Sequence, residues 1–197
     1  CCCARDVVWT RLQRQGHLRS LCYRMDQNVI VVDNFLDNPD LVRQFALELD
    51  YTYIQKNVPG RRSSVAIVGD LFDEVDSKLQ KIFNSKIKWS WDNDTFHFQS
   101  CEEGTKTWAH VDECTDWAAV LYLTPFPELE SGTGMYHKDA DGEWEMNIAV
   151  GNVYNRLIAY RGKSLYHRSM VPGFGHSLKT SRLTQVFFFD LEPNGQE

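Results

Sequence analysis

The sequence predicts an α+β fold in which two amphipathic helices pack on the outside of a barrel or jelly roll of about eight strands. Apolar residues recur twice at helical spacing before residue 85. From Lys86 onward the texture changes to short aromatic and β-branched runs broken by Gly, Pro, Asn and Asp. Length bounds the size: 197 residues, 43% of them hydrophobic, suffice for one well-buried core and are too few for two ordinary domains. The chain therefore reads as a single domain over 1–197. Residues 1–85 form a helical and strand support region, and 86–197 form the β-rich core.

Each element has its own signal. Residues 9–25 are polar and basic with scattered Leu, which suits a peripheral helix. Val29-Ile30-Val31-Val32 reads as a buried strand. Asn38-Pro39-Asp40 supplies a helix cap, a proline for the first helical position and an acid in the first turn. Leu41, Val42, Phe45, Ala46 and Leu49 then follow at helical spacing. Tyr51 to Val65, with Pro59-Gly60-Arg61-Arg62, reads as a basic loop. A second helix runs from about Asp70 to Phe83, with Leu71, Val75, Leu79 and Ile82 on one face. Strand runs follow at 87–91, 95–98, 117–123, 134–136, 156–160, 165–171 and 182–189.

Charge and cysteine usage exclude several classes. A net charge of −6 argues against a nucleic-acid partner, because phosphate binding needs a basic face. No apolar run approaches the roughly 20 residues needed to span a bilayer, so no membrane partner is expected. The first residues lack the pattern of a signal peptide. The six cysteines stand at 1, 2, 3, 22, 101 and 114, a spacing that suits neither a disulfide framework nor a paired zinc site. A reducing, cytoplasmic setting is the expectation.

The chemistry concentrates in three short segments. In His110-Val111-Asp112, residues two apart on an extended strand point to one face, so an imidazole and a carboxylate can reach the same ion. A second imidazole at His167 would complete two His and one carboxylate, the facial set that leaves three octahedral positions open on a non-haem Fe(II). An isolated His-x-Asp recurs by chance, and most single histidines are surface or core residues without a ligand role. His137 competes as third ligand, but it lies in His137-Lys138-Asp139-Ala140-Asp141-Gly142, which looks like a solvated hairpin tip. The third segment begins at Arg182. On a strand Arg182, Thr184, Val186 and Phe188 share a largely apolar face. A buried guanidinium there needs an anion, and its planar fork suits a carboxylate, with the Thr184 hydroxyl as a further donor. The competing reading is an arginine at a strand end, paired with surface acids.

From about Thr95 to Asp190 the chain resembles the catalytic core of Fe(II)/2-oxoglutarate-dependent dioxygenases, nearest their prolyl-hydroxylase-like branch. The matching segments run in order: Ser100-Cys101-Glu102-Glu103-Gly104, Trp108-Ala109-His110-Val111-Asp112, Ala119-Val120-Leu121-Tyr122-Leu123-Thr124, Gly132-Thr133-Gly134, Asn155 to Tyr160, Tyr166-His167 and the Arg182 strand. Val31-Val32-Asp33-Asn34-Phe35-Leu36 resembles an uncharacterised family of oxygenase-like proteins. The resemblance implies a double-stranded β-helix, a jelly-roll or cupin-like barrel, with Fe(II), 2-oxoglutarate and O2 as cofactor and co-substrates. It assigns His110, Asp112 and His167 as iron ligands, and Arg182 as partner of the distal carboxylate of 2-oxoglutarate. Tyr122 matches a tyrosine that bonds the same carboxylate. The chain departs from the pattern in two places. Cys101 stands where many members carry Tyr, and the long gap from His167 to Arg182 leaves Lys179 as an alternative anion partner. Because Asp112 keeps the carboxylate that related halogenases lack, hydroxylation of a C–H bond, with release of succinate and CO2, is the implied reaction.

Two other readings stand beside this one. A β-helix domain without catalysis would be a cupin-like binding module. A zinc hydrolase would use the same three ligands but leaves Arg182 and Tyr122 unexplained. The substrate is open between a peptide, an amino acid and another small molecule. Arg61, Arg62 and the tryptophans 89, 91, 108 and 117 are candidates for an entrance, although core positions suit at least two of the tryptophans.

Overall fold

A computed structural model describes residues 28–53, 58–64, 69–92 and 94–192. The basic segment 9–25 lies outside the described residues. The elements run β1 (Val29–Val32), α1 (Pro39–Glu48), β2 (Tyr51–Tyr53), β3 (Arg61–Ser63), α2 (Gly69–Phe83), β4 (Ile87–Trp89), β5 (Phe98–Cys101) and β6 (Trp117–Tyr122). A 3₁₀ turn at Leu129–Ser131 precedes β7 (Thr133–Lys138), β8 (Trp144–Val150), β9 (Leu157–Arg161), β10 (Tyr166–Ser169) and β11 (Arg182–Leu191).

Both helices form where their patterns place them. The Asn38 side chain accepts from the Leu41 amide at 3.3 Å, Pro39 takes the first position and Asp40 sits in the first turn of α1. Within α1, Arg43 is buried and satisfied by carbonyls: it donates to Leu123 O at 2.7 Å and Lys179 O at 2.6 Å. That pair of bonds ties the helix to the loops framing β11.

The larger sheet runs β1-β9-β6-β11-β5-β3-β2, with β4 pairing the far end of β11, and all its pairings are antiparallel. Along one edge β11 meets β6 from Thr184↔Tyr122 to Phe189↔Trp117, and along the other it meets β5, with Arg182↔Cys101. The smaller sheet runs β10-β7-β8. His110 joins it through a bridge to His167.

Alternation along the strands divides the core into two layers. Leu183, Phe187 and Phe189 of β11, with Trp117, Ala119 and Leu121 of β6, pack against Ala46 of α1 and Leu71, Val75 and Leu79 of α2. Ala118, Tyr122, Ile158 and Tyr160 face the other way and meet Met135 and Val150 of the smaller sheet.

Three strands lie beyond the runs marked in the sequence. The basic loop contains β2 and β3, each three residues long and too short to show a period. In β8, Trp144, Met146 and Ile148 alternate with polar residues, a period-two strand pattern legible in the sequence, although almost the whole strand is exposed. The run at 95–98 shifts instead: Thr95 and Phe96 sit in a turn, Phe96 at φ 65°, and β5 begins at Phe98. No described helix is long and apolar enough to cross a membrane.

Candidate metal centre and its cavity

The two histidines are held by each other's backbone. His110 N donates to His167 O at 3.1 Å, and His167 N donates to His110 O at 2.9 Å. Their rings are fixed alike: His110 Nδ1 lies 3.0 Å from Trp108 O, and His167 Nδ1 lies 3.0 Å from Leu165 O. A carbonyl can only accept, so each Nδ1 carries the proton and each Nε2 presents a lone pair. Asp112 enters from the turn beyond His110, its amide bonded to Gly162 O at 2.9 Å. Gly162 packs closely at this approach: a Cβ there would lie 3.0 Å from Thr115 O and 3.2 Å from Asp112 Cβ.

The ligand atoms converge. His167 Nε2 is 3.3 Å from Asp112 Oδ2, His110 Nε2 is 3.9 Å from Asp112 Oδ1, and the donor atoms of all three residues lie within 4.8 Å of one another. Burial pushes the His167 pKa down, and the neighbouring Asp112 only partly offsets this. His167 is therefore neutral at pH 7, and its short contact with Asp112 is not an ion pair. Three electron-pair donors facing one point repel unless a cation lies between them. Two imidazole nitrogens and a carboxylate suit a divalent first-row metal.

Arg182 stands in the same cavity, of about 700 Å³, which opens between the two sheets. It is 6% exposed, and no described acidic residue pairs with it. Arg182 Nε donates to Ser131 O at 2.8 Å, Nη2 reaches Thr133 Oγ1 at 3.4 Å, and the guanidinium lies over the Tyr122 ring at 5.4 Å. These contacts orient the fork without neutralising it.

Tyr122 and Thr184, cross-strand neighbours on β6 and β11, are fully buried and do not line the cavity. The Tyr122 hydroxyl is 2.7 Å from Thr133 Oγ1, and burial holds its phenol protonated. Thr184 Oγ1 is buried without a hydrogen-bond partner. The rival candidates are placed elsewhere. His137 is on the exposed end of β7, 3.4 Å from Glu145, and Lys179 is exposed in the loop before β11. Trp89 and Trp117 are core residues, while Trp91 is half exposed and the Trp108 ring lies 6.2 Å from that of His110. Cys101 lines the cavity as a buried thiol, pushed up in pKa by burial.

Three wall residues had no assigned role in the sequence. Thr133 links Tyr122 to Arg182, Tyr160 packs its ring 4.4 Å from that of His167, and Arg168 lies over Tyr136 at 4.6 Å. Arg168, directly after His167, was open to notice. Thr133 and Tyr160 depend on pairing between distant strands.

No protein-family model matches the chain, and no curated protein matches its sequence. Solved structures do match. A Pseudomonas putida prolyl-4-hydroxylase aligns over 84% of this chain and 94% of its own, at 17% identity and a TM-score of 0.50. A Trichoplax adhaerens prolyl hydroxylase, solved with a peptide fragment of the hypoxia-inducible factor oxygen degradation domain, aligns over 84% of each chain at 14% identity and a TM-score of 0.50. The non-heme alpha-ketoglutarate-dependent epimerase SnoN from nogalamycin biosynthesis covers 85% of this chain and 82% of its own, at 14% identity and a TM-score of 0.51. The chain thus has the double-stranded β-helix fold of the Fe(II)/2-oxoglutarate oxygenases.

Proposed function

We propose that this protein is an Fe(II)- and 2-oxoglutarate-dependent oxygenase that hydroxylates an unactivated C–H bond of a peptide, amino acid or other small molecule. The observation that carries the reading is the pairing, in one cavity, of three converging donors with a buried arginine that has no described acidic partner. His110, Asp112 and His167 hold the metal, their Nδ1 protons anchored so that both Nε2 atoms stay directed at it. Arg182, steadied by Ser131, Thr133 and Tyr122, binds the distal carboxylate of 2-oxoglutarate. When bound, the iron couples decarboxylation of 2-oxoglutarate by O2, giving succinate and CO2, to oxidation of the substrate.

Asp112 keeps the third ligand position filled by carboxylate, which favours hydroxylation over halogenation. Two of the three neighbours above are prolyl hydroxylases, and one binds a peptide, which supports a peptide-sized substrate for this cavity. Neither a membrane nor nucleic acid is assigned as a partner. A reducing, cytoplasmic setting suits the unpaired thiols of Cys101 and Cys114.

Anaerobic titration of the protein with Fe(II) and then 2-oxoglutarate tests this. The expected result is the weak visible charge-transfer band of the chelate, at one equivalent of each. A protein that binds Fe(II) but gives no band, and consumes no 2-oxoglutarate in air, is not an oxygenase.

A further inference from the structure

Arg62 is a second buried cation in the cavity, and nothing in the site described so far uses it. It is 6% exposed, its Nε and Nη1 have no hydrogen-bond partner, and no described carboxylate lies within ion-pairing distance. The largest electrostatic relief comes from Asp94, ahead of Cys101, Asp112 and Tyr160, and it does not offset the burial that lowers the Arg62 pKa. A guanidinium left in this state costs several kcal/mol unless a ligand supplies the charge.

Its placement is built. Gly60 has φ 76°, and a Cβ there would lie 2.2 Å from Ser100 O, so only glycine lets the chain turn tightly into β3. In register, Arg62 pairs with Gln99 of β5, while Arg182 pairs with Cys101 across the other edge of the same strand. Gln99 and Cys101 share one face of β5, and both line the cavity. Arg62 and Arg182 therefore flank β5 on the cavity side, their backbones two strand spacings (about 10 Å) apart across the sheet and two residues out of step along it. That separation lets each guanidinium hold its own oxyanion.

We infer that Arg62 binds an oxyanion group of the substrate, a carboxylate or a phosphate, so that this site takes acidic substrates. The inference rests on the oxygenase reading only in assigning the anion to a substrate. Arg168, whose Nε is also buried without a partner, lies on the opposite, smaller-sheet wall and offers a second donor to the same molecule.

The test titrates the Fe(II)- and 2-oxoglutarate-saturated protein, anaerobically, with inorganic phosphate and separately with benzoate, followed by calorimetry. Wild type should bind at least one of the two, and the preference identifies the group. Arg62→Met should weaken that binding tenfold or more, Arg62→Lys less, and both should leave 2-oxoglutarate affinity within twofold. In anion-free buffer Arg62→Met should melt at or above the wild-type temperature, because an apolar side chain of similar length replaces an unpaired charge. Binding of neither probe to wild type, or unchanged binding to Arg62→Met, would overturn the inference. So would a tenfold loss of 2-oxoglutarate affinity in Arg62→Met, or a large fall in its melting temperature, which would make Arg62 a co-substrate ligand or a structural brace. If 2-oxoglutarate does not bind at all, the oxygenase reading fails separately. The same titrations in its absence still report on Arg62.

Discussion

The larger sheet is covered on both faces, by α1 and α2 on one side and by the smaller sheet on the other. In the smaller sheet, β8 leaves Trp144, Met146 and Ile148 exposed. The covered sheet carries Arg62 and Arg182, whose charges gain strength where water is excluded. The half-covered sheet carries His167, as buried as those arginines, and through it the more exposed His110. The histidines and these two arginines are thus divided between two walls, and single substitutions in each should separate their roles.

The largest contrast lies within the smaller sheet. His167→Ala or His110→Ala should abolish Fe(II) binding in equilibrium titration with the circular dichroism spectrum retained, whereas His137→Ala should leave binding within twofold. Metal loss in His137→Ala alone would move the centre to the outer face. Next comes the packing contrast. Phe187→Ala, at a fully buried position, should cost about 3–5 kcal/mol in chemical denaturation. Ile148→Ala on β8 should cost under about 1 kcal/mol, as surface changes do. Equal costs would mean that β8 is covered in solution.

For the co-substrate, Arg182→Ala should weaken 2-oxoglutarate binding by about 2–5 kcal/mol. Lys179→Ala should cost under about 1 kcal/mol, and the reverse order would unseat the register of β11. The smallest effect is in pH. Burial lowers the pKa of His97, beside β3 and β5, as it does that of His167. The unfolded chain therefore takes up protons first, near pH 6.5. Metal-free protein should lose stability as pH falls through that value toward the lower folded pKa values, and His97→Gln and His167→Gln should each flatten the slope. An unchanged slope in both would assign acid sensitivity elsewhere.

Legibility in the sequence followed coverage. The strands of the larger sheet that are buried on both faces, such as 117–122 and 182–191, appear as apolar runs, and α1 announces itself through Asn38, Pro39 and Asp40. The hairpin tip at His137 to Gly142 was visible as a polar run and joins β7 to β8. The β8 strand beside it carries the same kind of legible signal, the alternation of Trp144, Met146 and Ile148, although little burial enforces it. The convergence of His110, Asp112 and His167 was visible as a motif, but the reciprocal backbone bonds that bring the two histidines together depend on pairing across the barrel. Arg62 shows the limit most clearly. A basic Pro-Gly-Arg-Arg stretch reads as solvated loop, and only its pairing with β5 puts the second guanidinium inside.

The reciprocal bridge between His110 and His167 gives the centre a mechanical role. Any cation gripped there also staples the two ends of the chain segment 110–167, closing a long loop by a reversible cross-link. Loading would then reach far beyond the ligands: the whole segment that folds between them would open less often. Amide exchange across β6, β7 and β9 should slow together on metal addition, and return together when a chelator removes it.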